Sequence, residues 1–371
     1  MAAFSSQPKT KRKPSVGPWQ RVCERVLEEA ESEEEKRWLE EHMRQAVPKR
    51  WEKVGDVLIL PGFDGTLVTS RPSAALRIGR AFGEALGVLV VGFAAKVSGE
   101  LRTPDSFGVI WARGQEKEER EGRARGERNR TGSCETTHVE GGIKYSLDVS
   151  RVMFASGNGT ERMHFAKQMA AGEVVVDMFA GIGYFSVPLA VRSRALTLVC
   201  LEKNADSFAF LERNVAQNIT RTIKRKPKRP SPNSASSSTS PSVSLPTVVL
   251  IHGDNRTEGD RWKGTADRVL MGYIPSPSNF LNRALEFLKW PLAEGLIHYH
   301  AVCTAAEITD PEAFMCREFQ LRDSPISSQY QPSAERSARA PPLRVISTRV
   351  VKSYAPHLQH VVFDCLLLCN A

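Results

Sequence analysis

Short apolar runs separated by helical segments recur through the second half of the chain. These runs are rich in Val, Ile and Leu, as in strands that are buried on both faces of a sheet. They occupy residues 174–177, 196–202, 247–252, 266–275 and 295–302, and two further runs, 343–353 and 360–369, close the chain. Because amphipathic helical segments alternate with the runs, the pattern predicts an α/β fold with a Rossmann-like, mostly parallel sheet of seven strands.

A smaller α/β pattern precedes this region. Its predicted strands and helix are residues 57–60, 74–86, 88–93 and 108–112. We interpret residues 51–150 as a small α/β accessory domain and residues 151–371 as the domain that carries the chemistry.

The first 50 residues predict an extension of the accessory domain. Residues 1–18 are small, polar and basic, which is typical of disorder. Residues 19–46 combine many glutamates with apolar positions at helical spacing, which predicts one exposed, acidic helix. The negative charge of this helix argues against contact with RNA.

Three polar segments interrupt the pattern. Residues 113–134 carry dense charges of both signs, four glycines and no large apolar side chain, which predicts a disordered insertion. Residues 219–246 begin with a basic stretch and continue as a serine and proline tract, a low-complexity insertion. The basic stretch could contact RNA phosphates, or the insertion could be a surface loop without a specific role. Residues 311–342 are polar and predict a loop.

The candidate chemistry begins where the first apolar run of the sheet ends. Asp177 closes this run and is followed by the turn Ala180-Gly181-Ile182-Gly183 and a helix. Such a strand, turn and helix bind an adenosine-containing cofactor at the carboxyl end of a parallel sheet. No Gly-Lys-Ser/Thr follows, which excludes a P-loop, and Ser186 stands where a dinucleotide site has its third Gly or Ala. The turn, with Gly181 at its centre, therefore favours S-adenosylmethionine over NAD.

The next two predicted strands also lead to polar side chains. Glu202 ends the second strand and could accept hydrogen bonds from both ribose hydroxyls. Asp254 and Asn255 follow the third strand, where Asp254 could accept from the exocyclic amine of adenine and Asn255 could use its amide. Each acid taken alone could instead be a helix cap or part of a solvated turn. Three acids at one sheet edge are the pattern of the class I methyltransferase fold.

Composition narrows the class of partner. The 371 residues carry a net charge of +9 with a pI near 9.2, which favours a polyanion such as RNA, although ordinary charge scatter would give the same total. Seven cysteines without a Cys-x-x-Cys pair argue against a disulfide framework and a zinc ribbon. No apolar run is long enough to predict a membrane span. We expect a cytoplasmic monomer; the basic residues of the first 17 are also compatible with a nuclear or organellar signal.

Two histidines raise the question of a metal. His298 and His300 alternate on one predicted strand and therefore share one face. No third or fourth ligand is spaced with them, so we expect no metal ion. Their alternative roles are lining of a base pocket or simple packing.

At these motifs the chain resembles the tRNA wybutosine-synthesising protein 2 family, which is related to the tRNA guanine-N1 methyltransferases that act beside the anticodon. The resemblance covers residues 140–371 apart from the insertions, and residues 50–112 loosely. The matching blocks are 154–162, 177–185, 253–256, 266–269 with 272–276, 295–300 and 351–357.

The resemblance implies an S-adenosylmethionine-binding catalytic domain that transfers the 3-amino-3-carboxypropyl group. The acceptor would be a carbon of 4-demethylwyosine beside the anticodon of phenylalanine tRNA, and methylthioadenosine would leave. The cofactor contacts that the resemblance implies are Ala155, Arg162, Glu202, Asp254 and Asn255.

Two of these positions need comment. Arg162 would clamp the cofactor carboxylate, or would be a surface arginine of a helix. Ala155 stands where the family usually has serine, and Leu270-Met271 stands where relatives tend to have Asn-Leu. No residue stands out as the catalytic base.

Two other functions remain open at this stage. One is tRNA guanine-N1 methylation by the same kind of domain. The other is a non-catalytic tRNA-binding module whose cofactor site has lost its function. The departures at Ala155 and Leu270 and the two insertions are the features that suggest it.

Overall fold

The computed structural model describes residues 17–94, 97–114, 134–168, 171–225, 245–290, 292–321 and 343–368. It divides into two compact units, one made of residues 1–97 and 104–134 and the other of residues 98–103 and 135–371. Most of the predicted insertions at 113–134 and 219–246 lies outside the described residues. No helix within the described residues is long and apolar enough to cross a membrane.

The first unit contains a four-stranded sheet and its helices. In chain order the elements as far as residue 112 are α1 (Pro18–Glu28), α2 (Glu33–Ala46), β1 (Glu52–Val54), β2 (Val57–Ile59), α3 (Leu67–Ser70), α4 (Pro72–Leu86), β3 (Val90–Ala94), β4 (Val97–Ser98), β5 (Thr103–Pro104) and β6 (Phe107–Ala112). Strands β1, β2, β3 and β6 form the sheet in that order. Its core includes the fully buried Leu58, Ile78 and Phe82.

The prediction of one exposed helix over residues 19–46 is wrong. The structure has two helices there, because Ser32 accepts a hydrogen bond from the Glu35 backbone N–H and thereby starts α2. Val22 and Leu39 are fully buried, so the apolar positions pack into the core. Glu35 is not simply solvated either, because it pairs with the buried Arg77.

The second unit contains the predicted large sheet. Its elements are β7 (Glu135–Glu140), β8 (Ile143–Asp148), α5 (Gly159–Gln168), β9 (Val174–Asp177), α6 (Ser186–Arg192), β10 (Thr197–Glu202), α7 (Ala205–Arg225), β11 (Thr247–His252), β12 (Arg268–Met271), α8 (Leu281–Phe287), β13 (Gly295–Cys303), α9 (Ala305–Thr309), α10 (Pro311–Leu321), β14 (Leu343–Ala355) and β15 (Leu358–Leu367). The sheet order is β11-β10-β9-β12-β13-β15-β14. The first five strands in this order run parallel, whereas β15 is antiparallel to both of its neighbours. The predicted class I methyltransferase-like fold is confirmed.

Long-range contacts extend or add elements that the sequence pattern missed. The sequence pattern predicts a helix over residues 206–218, and helix α7 continues seven residues past that end. Its Asn214 side chain accepts from the Ser146 backbone N–H at 2.7 Å and donates to the Ser146 carbonyl at 3.0 Å. These bonds hold the β7–β8 hairpin, of which the sequence predicts only the second strand, from the alternation of residues 141–148.

The predicted loop at 311–342 is wrong for its first part. Residues 311–321 form helix α10, because Phe314, Met315 and Phe319 are buried in the core of the large sheet. The Pro and Ser residues of 311–342 lie mostly in 322–342, outside the described residues.

Candidate active site

A cleft opens in the second unit at the carboxyl ends of β9, β10, β11 and β12. It encloses about 1120 Å³, counted to its open mouth. The strand ends, the segment 153–162 and the segment 272–274 contribute most of its lining. This is the edge where open parallel sheets bind their ligands, and all six sequence-predicted site residues line it, from Ala155 to Asn255.

The turn after β9 requires glycine. Gly181 and Gly183 have φ values of +58° and +96°, in the left-handed region that side chains avoid. A Cβ at Gly181 would also lie 2.6 Å from the Tyr184 ring, and one at Gly183 would lie 2.5 Å from Val187. Gly181 lines the cleft without a side chain, so a ligand can approach the bare backbone there closely.

Glu202 connects this turn to the end of β10. Its Oε2 accepts from the Gly181 N–H at 2.7 Å and its Oε1 accepts from the Asn204 N–H at 2.7 Å. Burial raises the pKa of Glu202, against the lowering effect of the backbone donors. Each carboxylate oxygen has a second lone pair, so the side chain can still accept from hydroxyl groups. This geometry suits the ribose contact expected from the sequence.

Asp254 is held at the rim by two cations. Its Oδ2 lies 3.0 Å from Lys203 Nζ and 2.9 Å from Arg256 Nη1. Burial favours a higher pKa for Asp254, but the Arg256 backbone N–H and these cations outweigh it and lower the pKa. Asp254 is therefore an anionic acceptor whose position is set by its neighbours.

Asn255 is turned into the protein. Its Nδ2 donates to the Met178 carbonyl at 2.7 Å, so one amide hydrogen already has a partner and the orientation of the amide is fixed. Its Oδ1 is buried and has no hydrogen-bond partner within the described part of the chain. The side-chain oxygen is therefore the atom available to accept from a ligand amine.

Arg162 is buried rather than at the surface, which excludes the surface-arginine alternative. It is only 1% exposed, pairs through Nη1 with Glu140 and donates through Nη2 to the Ala155 carbonyl. Its guanidinium lies 5.2 Å from the Phe154 ring centroid and 5.1 Å from that of Tyr184. The Ala155 backbone carbonyl thus holds the guanidinium, and this hydrogen bond does not depend on the Ala155 side chain.

Four buried polar atoms of the cleft lining have no hydrogen-bond partner among the residues that the structure describes. They are Asn158 Oδ1, Arg162 Nε, Asn255 Oδ1 and His300 Nε2. A buried polar group without a partner is costly, so such atoms mark places where a ligand completes the site. A cationic donor and neutral acceptors together fit a zwitterionic adenosine sulfonium. The sequence analysis missed Asn158, although it lies inside the matching block 154–162.

An aromatic wall forms the other side of the cleft. Phe179 lies 5.3 Å from Tyr273 and 4.9 Å from Phe280, measured between ring centroids. Such a wall suits stacking with a planar base. Leu270 and Met271 do not contribute to the described lining, because both are fully buried inside the sheet. Their departure from the Asn-Leu of relatives therefore changes the strand and not the lining side chains of this cleft.

The two histidines of β13 have different surroundings. His300 lines the cleft, whereas His298 binds Asp364 through Nδ1 at 2.6 Å and is not part of the lining. Arg349 lies 2.6 Å from Asp364 and 2.8 Å from Glu161, so one guanidinium contacts both carboxylates of this network. No group of three or more His, Cys, Asp or Glu side chains in the described ranges is placed to hold a metal ion.

Asp177, beneath the glycine turn, is fully buried and accepts from Ser186 Oγ at 2.6 Å and from the Phe179 N–H at 3.2 Å. Burial raises its pKa from 3.8 to about 7 against these hydrogen bonds. Between pH 3.8 and about pH 7 the Asp177 carboxyl holds a proton in the folded state that it has lost in the unfolded state. The free energy of unfolding therefore falls as pH rises through this range.

We therefore expect Asp177→Asn to flatten the pH dependence of stability. Between about pH 5.5 and about pH 7.5 the free energy of unfolding of the wild type should fall by about 1–2 kcal/mol more than that of the variant. Urea unfolding at several pH values measures this, with the exposed Glu212→Gln as control. The prediction would be contradicted if the free energy of unfolding depended on pH in the same way for the wild type and for Asp177→Asn.

The fold and the cleft define a class I S-adenosylmethionine-dependent transferase. The chain is 31% identical over 326 residues to the tRNA(Phe) (4-demethylwyosine(37)-C(7)) aminocarboxypropyltransferase of Pyrococcus horikoshii, covering 88% of this chain and 92% of that one. It therefore belongs to the tRNA wybutosine-synthesising protein 2 family. The protein of the same name from Methanocaldococcus jannaschii is 34% identical over 230 residues, which is 62% of this chain and 74% of that one.

Domain and structure comparisons agree with this assignment. Residues 136–225 and 244–320 match the TRM5/TYW2 methyltransferase domain. The crystal structure of P. horikoshii TYW2 in complex with MeSAdo is 27% identical with a TM-score of 0.59, covering 94% of this chain and 99% of that chain. The complex of aTrm5 with tRNALeu has a TM-score of 0.62 at 19% identity, covering 98% of this chain and 82% of that chain, which shows a shared fold.

Proposed function

We propose that this chain transfers the 3-amino-3-carboxypropyl group of S-adenosylmethionine to C7 of 4-demethylwyosine at position 37 of tRNA(Phe), in wybutosine biosynthesis. The observation that carries the proposal is the match along 92% of the P. horikoshii enzyme with this activity. The cleft supports it, because one side offers polar atoms for an amino acid and a nucleoside and the other an aromatic wall.

S-adenosylmethionine supplies three electrophilic carbons on one sulfonium, and the carbon held in line with the nucleophile and the departing sulfur is the one transferred. The protein therefore acts mainly by positioning. We assign Arg162 and the Ala155 backbone to the amino acid end, Glu202 and the bare turn at Gly181 to the ribose, and Asp254 with Asn255 to the adenine.

The segment 272–276 positions the acceptor base in this proposal. Tyr273 contributes to the aromatic wall, and Ser276 anchors the end of the segment. Ser276 Oγ lies 2.9 Å from Tyr299 Oη and donates to Glu318 Oε2 at 2.5 Å. This anchoring restrains Tyr273, and a restrained ring loses less conformational entropy when a base stacks on it.

The substrate is a tRNA, and the net charge of +9 suits such a polyanion. Phenylalanine tRNA as the specific substrate, a cytoplasmic location and a monomeric state belong to the same proposal. Sedimentation at assay concentrations checks the monomer.

Separate labelling of the two transferable groups tests the reaction. We expect that tRNA(Phe) bearing 4-demethylwyosine will acquire label from the carboxypropyl carbons and none from the methyl carbon. Methylthioadenosine should be released in equal amount. The matched control is the same tRNA with unmodified guanosine at position 37, which should acquire neither label.

Either of two results would contradict this function and indicate a different one. Incorporation of methyl label alone, with guanosine tRNA as a good substrate, would indicate the guanine-N1 methyltransferase. Absence of S-adenosylmethionine binding in calorimetry would indicate a non-catalytic tRNA-binding module.

A further inference from the structure

Two buried histidines meet at the inner end of the cleft. His300 of β13 lines the cleft, and its Nδ1 lies 2.9 Å from Nε2 of His360 on the neighbouring strand β15. The rings are 1% and 0% exposed, with centroids 5.0 Å apart. Phe185, which also lines the cleft, packs edge-on against His300 at 5.2 Å. The position of the His300 ring is therefore set by packing on one side and by a hydrogen bond on the other.

Both rings are neutral near pH 7. Burial, with His298, His360 and Arg349 nearby, lowers the pKa of His300 well below its ordinary value. Burial also lowers the pKa of His360 to about 4. A neutral imidazole has one N–H donor and one acceptor nitrogen. If the His300 Nδ1–H fills the contact with His360, the remaining lone pair of His300 is on Nε2, the atom without a partner among the described residues.

The carboxylates of the cleft lining are already engaged. Glu202 accepts two backbone N–H groups, and Asp254 is paired with Lys203 and Arg256. Glu100 lies 2.8 Å from Arg256. The two cations lower the basicity of Asp254, and Glu202 is already assigned to the ribose. Among the described lining residues His300 is the only histidine, and in the tautomer with Nδ1–H toward His360 its acceptor atom Nε2 has no competing donor.

We propose that His300 is the catalytic residue that accepts the proton displaced from the base, and that His360 is a positioning residue that sets its tautomer. The inference rests on the proposed function. C7 of the base forms a bond to the terminal carbon of the aminocarboxypropyl chain, and the bond from that carbon to sulfur breaks. The electron pair of that bond leaves on the sulfur of methylthioadenosine.

C7 then carries both its hydrogen and the new substituent, and the ring has a positive charge. The electron pair of the C7–H bond returns to the ring, and the proton goes to Nε2 of His300. The positive charge that began on the sulfonium ends on the imidazolium. The site disfavours a charged ring, so the proton is lost to solvent when product leaves.

His300→Gln and His300→Asn test the assignment, because an amide keeps hydrogen bonding but is not a base at neutral pH. We expect transfer in single turnover to slow by about 10²- to 10⁴-fold, the range for a lost general base. Deuterium at C7 should slow the variants more than the wild type, because proton removal then limits the rate. S-adenosylmethionine affinity in calorimetry should stay at the wild-type value. His164→Gln, at an exposed position of α5, is the control.

Two further variants separate a base from a structural group. His300→Ala should regain activity when imidazole is added, and His360→Gln should reduce the rate less than His300→Gln does. Wild-type rates in the His300 variants would overturn the inference. So would a slower rate with an unchanged isotope effect and no imidazole rescue. A wild type that transfers no aminocarboxypropyl group would instead overturn the proposed function.

Discussion

Replacing Arg162 by methionine will weaken S-adenosylmethionine binding by about 10- to 100-fold, the value of a charge-assisted hydrogen bond. The same change will leave methylthioadenosine binding nearly unaltered. The two ligands differ by the aminocarboxypropyl group, whose carboxylate we assign to the buried guanidinium with its unpartnered Nε. Calorimetry with both ligands measures the two affinities.

The Arg162 experiment needs a control for the buried charge that it leaves behind. Glu140 pairs with Arg162, and removing one member of a buried pair destabilises the fold. The double variant Arg162→Met, Glu140→Gln removes both charges and should show the same selective loss. Arg213→Met, at an exposed position of α7, should change neither affinity. Equal losses for both ligands would contradict the assignment of Arg162 to the carboxylate.

Replacing Glu202 by glutamine will weaken binding of S-adenosylmethionine and of methylthioadenosine together, by about 10- to 100-fold. Both carboxylate oxygens accept backbone N–H groups, from Gly181 and Asn204. Glutamine has one acceptor oxygen, so its NH₂ group must face one of these N–H donors. The turn at Gly181 will shift and the ribose acceptor will be lost, and both ligands have a ribose.

Calorimetry of Glu202→Gln with the same two ligands distinguishes it from the Arg162 variant. The exposed Glu212→Gln of α7 is the matched control and should bind as the wild type does. Unchanged affinity for methylthioadenosine in Glu202→Gln would contradict the ribose assignment.

The large sheet could be predicted from the sequence because its inner strands are buried on both faces. Val175, Val199 and Ile297 are fully buried, and such strands appear as continuous apolar runs. Residues 19–46 and 311–321 were misread because their polar residues hid buried apolar ones. Val22 and Phe314 are core residues of their units, which a charge-rich pattern does not reveal.

The candidate site could be predicted only in part. The sequence named Glu202, Asp254 and Asn255 because strand ends in a parallel sheet meet at one edge. Their roles as ligand contacts remain predictions. Asn158 was missed, and His300 was placed no further than a pocket or the core, because nothing in the local sequence shows which buried atom lacks a partner.

The sequence by itself determined the succession of strands and helices, the glycines at the positive φ values of the turn, and the acids at the strand ends. These features depend on residues that are close together in the sequence, so the sequence pattern reveals them. Only the tertiary structure decided that Arg162 is buried against Glu140, that the Asn255 amide is used by Met178, and that His300 meets His360. Hydrogen-bond partners far apart in the chain are chosen by sheet order and packing, and those choices decide which polar atoms remain for a ligand.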